Sequence, residues 1–250
     1  IVQPTCILAT GSVQLTNLPS SGTWTLTTSP GGTTTPGTGT STTISGLIPG
    51  IYNFTVTTAA NCTSAASANV TINAQPPTPA TPVIGTIIHP TCEVGTGSVV
   101  LNGLPATSMW IVTRHPDGLT TEGTGASTTV TGLEAGTYTF TVTNTSGCIS
   151  IPTGNVVINA NPLTPNPPAI GTITQPDCDS ATGSAVLTGL PEQGTWLLTG
   201  SSGNIAITGT GSSITVEGLE TGTYTFTVGI AGGCTSASSG SIVINAQPLT

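Results

Sequence analysis

The chain has 250 residues, with Arg114 as its one basic side chain, 9 acidic residues and a formal net charge of −8. Phosphate recognition needs clustered cations, so neither nucleic acid nor an anionic membrane surface is an expected partner. Charged residues make up 4%, against about 25% in an ordinary globular domain, and no stretch approaches the ~18 apolar residues that membrane insertion requires.

The predicted elements are all strands. Residues 12–18 come first. In GTWTLTT (22–28), Trp24 and Leu26 share one face and Thr23, Thr25 and Thr27 the other, the period-two alternation of a half-buried strand. A further strand is expected near 42–45. In GIYNFTVTT (50–58), Tyr52, Phe54 and Val56 point inward, and Asn53, Thr55 and Thr57 outward. Another follows at 69–74, and 82–88 opens the next series. Helical periodicity is absent. With 54 threonines, 33 glycines and 20 prolines, the composition describes a neutral, threonine-faced β protein.

The series repeats. GLIPGIYNFTV (46–56), GLEAGTYTFTV (132–142) and GLETGTYTFTV (218–228) lie 86 residues apart, since 132 − 46 = 86 and 218 − 132 = 86. Trp24, Trp110 and Trp196 keep that interval, as do Phe54, Phe140 and Phe226, which supply the expected core. Fixed-period self-similarity of this length marks an array of small domains. Six or seven short strands per period, separated by Gly and Pro turns, imply antiparallel β-sandwiches. Repeats are expected at 1–75, 83–161 and 169–247. Pro-rich linkers are expected at 76–82 and 162–168, and the start of another at 248–250.

Gly-Leu-x-x-Gly-x-Tyr-x-Phe-x-Val resembles the tyrosine corner of immunoglobulin-like and fibronectin III-like sandwiches. The resemblance implies that Leu47, Leu133 and Leu219 plug the core. It implies also that Gly50, Gly136 and Gly222 permit the turn, and that Tyr52, Tyr138 and Tyr224 clamp it. The whole repeat, with PTC or PDC, TGS, GLP, GTW, the corner and a late Cys, looks like the Ig-like repeats of large secreted Bacteroidota proteins, among them flavobacterial surface adhesins and extracellular fibres. That resemblance implies export to the cell surface and a stalk, adhesive or filament role.

Each repeat has two cysteines 56 residues apart: Cys6 and Cys62, Cys92 and Cys148, Cys178 and Cys234. An even count at a repeated spacing in a small β-domain favours a disulfide and an oxidising compartment. The expectation is one disulfide inside each repeat. A zinc site would need four ligands, which no repeat supplies.

Four prolines in each linker favour extended polyproline II, which would hold domains apart as beads on a stiff string. Alternatively, PVIGTI (82–87) would lie along a neighbouring domain's edge. Ile1 aligns with Ile87 and Ile173, just past the linker, and Thr250 with Thr78 and Thr164, inside it, so a window cut from a longer continuous array is expected.

Chemistry does not recur. His89 and His115 fall in one repeat at non-equivalent positions, so no Ser-His-Asp set is assembled three times. Arg114, His115 and Asp117 sit in RHPDGLTTEG (114–123), which aligns with SPGGTTTPG and SSGNIAITG as hairpin tips. The tip reads as a solvated loop or as a ligand contact. Asp177 and Asp179 flank Cys178, but the other repeats lack that pair and calcium wants six to eight oxygens. The GxG of PGTGT (36–40) has neither a helix nor a lysine to complete a phosphate loop. Asn53, Asn61, Asn69 and Asn144 begin Asn-x-Ser/Thr triplets out of register. Asp179-Ser180-Ala181 matches the short O-glycosylation acceptor pattern of Bacteroidota, with Ser180 the acceptor. No metal, cofactor or enzymatic activity is expected. The expected role is the shaft of an extracellular fibre or adhesin, self-associating or continuing as a longer array. The alternative is a module that binds glycan or another surface through its tips.

Overall fold

The computed structural model describes residues 1–248; residues 249 and 250 of the expected terminal linker lie outside the described residues. The first repeat forms β1 (Gly11–Thr16), β2 (Thr23–Ser29), β3 (Thr33–Thr38), β4 (Ser41–Leu47), β5 (Gly50–Thr58) and β6 (Val70–Ile72). The second forms β7 (Val83–Ile88), β8 (Gly97–Asn102), β9 (Trp110–His115), β10 (Thr120–Gly123), β11 (Ser127–Leu133), β12 (Gly136–Asn144) and β13 (Val156–Ile158). The third forms β14 (Ala169–Thr174), β15 (Gly183–Thr188), β16 (Trp196–Gly200), β17 (Ala206–Gly209), β18 (Ser213–Leu219), β19 (Gly222–Tyr224), β20 (Phe226–Ile230) and β21 (Ile242–Ile244). The described residues contain no helix.

The sheets are antiparallel. In the third repeat β14-β15-β18 form one sheet, and β17-β16-β20 with the β19-β21 pair form the other. Ala185, Leu187, Val216 and Leu219 of the first sheet share a core with Trp196, Leu198, Tyr224, Phe226, Val228, Ile242 and Ile244 of the second. In the first repeat β1-β4 and β3-β2-β5-β6 are the two sheets. Val13 and Leu47 there share a core with Trp24, Leu26, Tyr52, Phe54 and Ile72. The second repeat has sheet orders β11-β8-β7 and β10-β9-β12-β13. This is the antiparallel, immunoglobulin-like β-sandwich, in which alternate residues of each strand supply the core.

By contact the described residues divide into two compact units: Ile1–Thr86 with Val100–Val130 and Tyr138–Val156, and Ile87–Val99 with Thr131–Thr137 and the residues from Val157 onward. The second repeat therefore contributes to both.

Burial alternates along β2, with Trp24, Leu26 and Thr28 buried. PVIGTI does not lie along a neighbouring domain: residues 83–88 form β7, the edge of their own repeat's sheet. One strand per repeat escapes the sequence pattern. The sequence places residues 33–37, 120–123 and 206–209 in hairpin tips, yet they fall in β3, β10 and β17, the outer strands of their sheets. TTTPGT shows no apolar alternation because this edge strand has little core to face. It tolerates Pro36 for the same reason, since an edge strand has one unpaired side.

The tryptophans explain the GTG runs. Trp24, Trp110 and Trp196 are each 2% exposed, and their indole Nε1 groups donate to the carbonyls of Gly39, Gly125 and Gly211 at 2.9, 2.8 and 2.8 Å. A Cβ at Gly37, Gly123 or Gly209 would overlap the indole ring that lies across it. The corner phrase is used in a related way. Tyr52 Oη donates to Ile48 O (2.9 Å), and Tyr224 Oη to Glu220 O (3.0 Å). Leu47, Leu133 and Leu219 are buried. The left-handed turn falls at the first glycine of the phrase, with φ of +73°, +69° and +71° at Gly46, Gly132 and Gly218. At Gly50 a Cβ would only touch the Tyr52 ring, at 3.5 Å.

Candidate functional site

The feature that sets this chain apart is how its cysteines are placed. Cys6 lies in a turn closed by Thr5, whose N–H donates to Leu8 O (2.9 Å) and whose Oγ1 accepts from Leu8 N (3.2 Å). Gln75 Nε2 donates to Cys6 O (3.0 Å), so this turn sits at the end of the sandwich where the chain leaves after β6. Cys62 lies in the turn after β5, with Thr58 N donating to Cys62 O (3.0 Å) and Ala59 N to Thr23 O (3.2 Å). That is the end where β2 begins. The 9 residues of β5 separate the two ends, at about 3.3 Å each, whereas a disulfide needs Cα atoms within about 7 Å.

The disulfides are therefore not the expected ones inside each repeat. Cys6 bonds Cys148 and Cys92 bonds Cys234, with Cα–Cα distances of 5.4 and 5.6 Å and a sequence separation of 142 in both. The first cysteine of one repeat is joined to the second cysteine of the next. Cys62 and Cys178 carry exposed free thiols.

The linkers are not free spacers either. In the first unit, Asn144 Nδ2 donates to Pro77 O (2.8 Å), and Cys148 Sγ lies 3.9 Å from Pro76 O. The other face of Asn144 builds the turn, its Oδ1 accepting from Ser146 N and Cys148 N, both at 3.0 Å. In the second unit, Cys234 N donates to Leu163 O (2.8 Å), with Cys234 Sγ 3.7 Å from Pro162 O. Each linker is thus seated on the turn that holds the following repeat's bonded cysteine. The sequence marks Asn144 only as the start of an Asn-x-Ser/Thr triplet, and does not mark Leu163 or Gln75 at all. Their partners lie 67 to 71 residues away, beyond the reach of any local pattern.

The hairpin tip of the second repeat is satisfied internally. Arg114 Nε donates to both carboxylate oxygens of Asp117 (3.1 and 2.8 Å), and its Nη2 lies 2.6 Å from Oδ2. The guanidinium carbon stands 5.5 Å from the centroid of the half-buried Tyr138 ring. Asp117 Oδ1 also accepts from Leu119 N at 3.1 Å. The hydrogen bond from Arg114 holds the Asp117 carboxyl below its ordinary value. His115 Nε2 is 3.3 Å from Thr141 Oγ1.

His89 has a structural part in the second unit. At the equivalent place Gln175 bridges the backbone, donating to Val243 O and accepting from Asn245 N, and Gln3 does the same with Thr71 O and Asn73 N. His89 Nδ1 accepts from Asn159 N at 3.3 Å, keeping half of that bridge. Asp177 Oδ1 accepts from Asp179 N (2.9 Å) and Ser180 N (2.8 Å), so it closes the same turn that Thr5 closes. Ser180 is exposed, with its Oγ donating to Thr182 O (3.1 Å). Asn53 Nδ2 donates to Asn69 Oδ1 (3.3 Å). Among the described residues no group of three or more His, Cys, Asp or Glu is placed to hold a metal ion. No helix among them is long and apolar enough to cross a membrane.

No family model matches the chain, and no curated protein matches it. Among solved structures it is similar to the FN1–FN3 domains of chicken CNTN1, with 12% identity, 98% of this chain and 96% of that chain covered, and a TM-score of 0.25. It is also similar to the human OSCAR ligand-binding domain, with 15% identity, 66% and 98% covered, and a TM-score of 0.27. The sandwich itself rests on the strand order and shared cores described above. Disulfides of this kind are characteristic of extracellular domains.

Proposed function

We propose that the chain is a load-bearing shaft segment of an extracellular fibre or surface adhesin, of the kind built by flavobacterial-type repeat proteins. It works without catalytic machinery, cofactor, nucleic acid or membrane insertion, and its partners are further repeats of its own kind. The supporting observation is that the two disulfides overlap in sequence, Cys6–Cys148 enclosing Cys92 and Cys92–Cys234 enclosing Cys148. Tension applied to the two ends passes through both bonds and bypasses most of the backbone. Even a fully unfolded oxidised chain could be drawn out to less than half the length of the reduced one, whose limit is about 3.4 Å per residue. Single-molecule stretching from the two ends tests this. A short oxidised contour that lengthens more than twofold on reduction is expected, and equal contours in both states would refute the load path.

The rival is a module that binds glycan or another surface through its hairpin tips. Arg114 and Asp117 spend their charges on each other, which favours the shaft. Replacing Arg114, His115 and Asp117 with Ala should leave a shaft's extension unchanged. Loss of attachment of the native material to its surface would support the rival instead.

A further inference from the structure

Cys62 and Cys178 occupy complementary positions. Cys62 is the counterpart of Cys148 and Cys234, the second cysteines of their repeats, and Cys178 the counterpart of Cys6 and Cys92, the first cysteines. Both observed disulfides join a first cysteine to a second cysteine of another repeat. The two exposed thiols are thus one half of each kind, and the bonded pairs show what each accepts. We propose that Cys178 of one chain and Cys62 of a second copy form this same inter-repeat disulfide, joining copies head to tail. The proposal rests on the shaft reading and names the shaft's partner as another copy of the chain.

Charge argues independently for unlike pairing. Cys178 lies between Asp177 and Asp179, and Cys62 between Asn61 and Thr63. Two Cys178 turns brought together would bring four carboxylates into one place with the nearest basic side chain far away in sequence. A Cys178 turn on a Cys62 turn meets no such repulsion. The observed Cys92–Cys234 bond has the same asymmetry, with Glu93 beside the first cysteine and Gly233 and Thr235 beside the second. The turn at Cys178 is also seated as at Cys6. Gln247 Nε2 donates to Asp177 O (3.0 Å), as Gln75 Nε2 does to Cys6 O.

The step is a thiol–disulfide exchange. A small disulfide oxidant of the glutathione class is attacked by one thiolate, and the mixed disulfide is then attacked by the other. One protein S–S bond forms, the oxidant's S–S bond breaks, and its two thiols carry away the two electrons and two protons. Because each copy offers one cysteine of each kind, the association is heterologous and extends beyond a dimer.

The test uses the 250-residue chain and its Cys62→Ser and Cys178→Ser variants, each incubated with oxidised glutathione and run without reductant. The wild-type chain should give a ladder of multimers. Each variant alone should remain monomeric, and their equimolar mixture should give dimers and nothing larger. Peptide mapping should find Cys178 linked to Cys62, with Cys6–Cys148 and Cys92–Cys234 intact. Homodimers of either variant in the yield of the mixture would overturn the proposal. So would a monomer closed by its own Cys62–Cys178 bond, or both thiols left free after oxidation. A failure here with a stretching contour still short in the oxidised state would leave the shaft standing and remove only this join.

Discussion

In the third repeat's interior, Trp196 lies across Gly209 and hydrogen-bonds Gly211 within one run of 16 residues, and Trp24 does the same with Gly37 and Gly39. At the junctions, Cys6 meets Cys148 and Asn144 meets Pro77 across separations of 142 and 67 residues. The tryptophan's partners lie inside its own repeat, so this contact recurs in all three. The junction exists only where one repeat meets another, and neither repeat alone contains its partners. Stability of a sandwich and continuity of the array are therefore carried by different residues.

The largest expected effect comes from cutting the junction covalently. A disulfide closing a loop of this length stabilises by about 5 kcal/mol in the chain-entropy model. Reduction should lower the denaturation midpoint of the chain by a corresponding amount while the folded baseline of the tryptophan signal stays native, because the indoles are held inside each repeat. Cys234→Ser should remove one bond and leave Cys6–Cys148 in a non-reducing peptide map. A peptide linking Cys6 to Cys62 would break the comparison, since it would return the staple to the interior.

The same division decided what could be read from the sequence. Alternation made β2 and β5 legible to within a residue, because Trp24, Leu26, Tyr52 and Phe54 each face a core their own repeat supplies. The corner phrase carried its tyrosine contact, since Tyr52 and Ile48 are four residues apart. β3 was hidden because an edge strand of threonines has no apolar stripe to betray it. The cysteine pairing was hidden for a different reason. In a periodic chain every separation between first and second cysteines recurs in register, so 56 and 142 are equally regular. Only the extended length of β5, which places Cys6 and Cys62 at opposite ends, separates them.

A second experiment should strike the interior and spare the junction. Gly209→Ala places a methyl group against the Trp196 ring, where the nearest ring carbons leave it no room. Overpacking of this kind costs about 1–3 kcal/mol. The loss should be seen by urea denaturation with both disulfides intact by peptide mapping. An unchanged midpoint would mean that the indole moves aside freely, and that the GTG run is not what holds it.

The smallest effect is expected at the hairpin tip, which belongs to neither system. The Asp117 carboxyl is depressed in the folded state by its hydrogen bond from Arg114. Its contribution is therefore complete above the ordinary carboxylate range and is lost as pH falls through the depressed folded value. In acid, the amides of Gly118 and Leu119 should lose protection from hydrogen exchange, because Asp117 Oδ1 no longer accepts from Leu119 N as a carboxylate. Asp117→Asn should show that loosened tip already at neutral pH. Exposed ion pairs contribute little to global stability, so the denaturation midpoint should stay where it was in both cases. The same experiment distinguishes a local tip from one coupled to the core. Arg114 stacks on Tyr138 at the start of β12, and if acid also released the amides of Phe140 and Val142, the tip would prove to be a support for the sandwich and the division drawn above would have to move to include it.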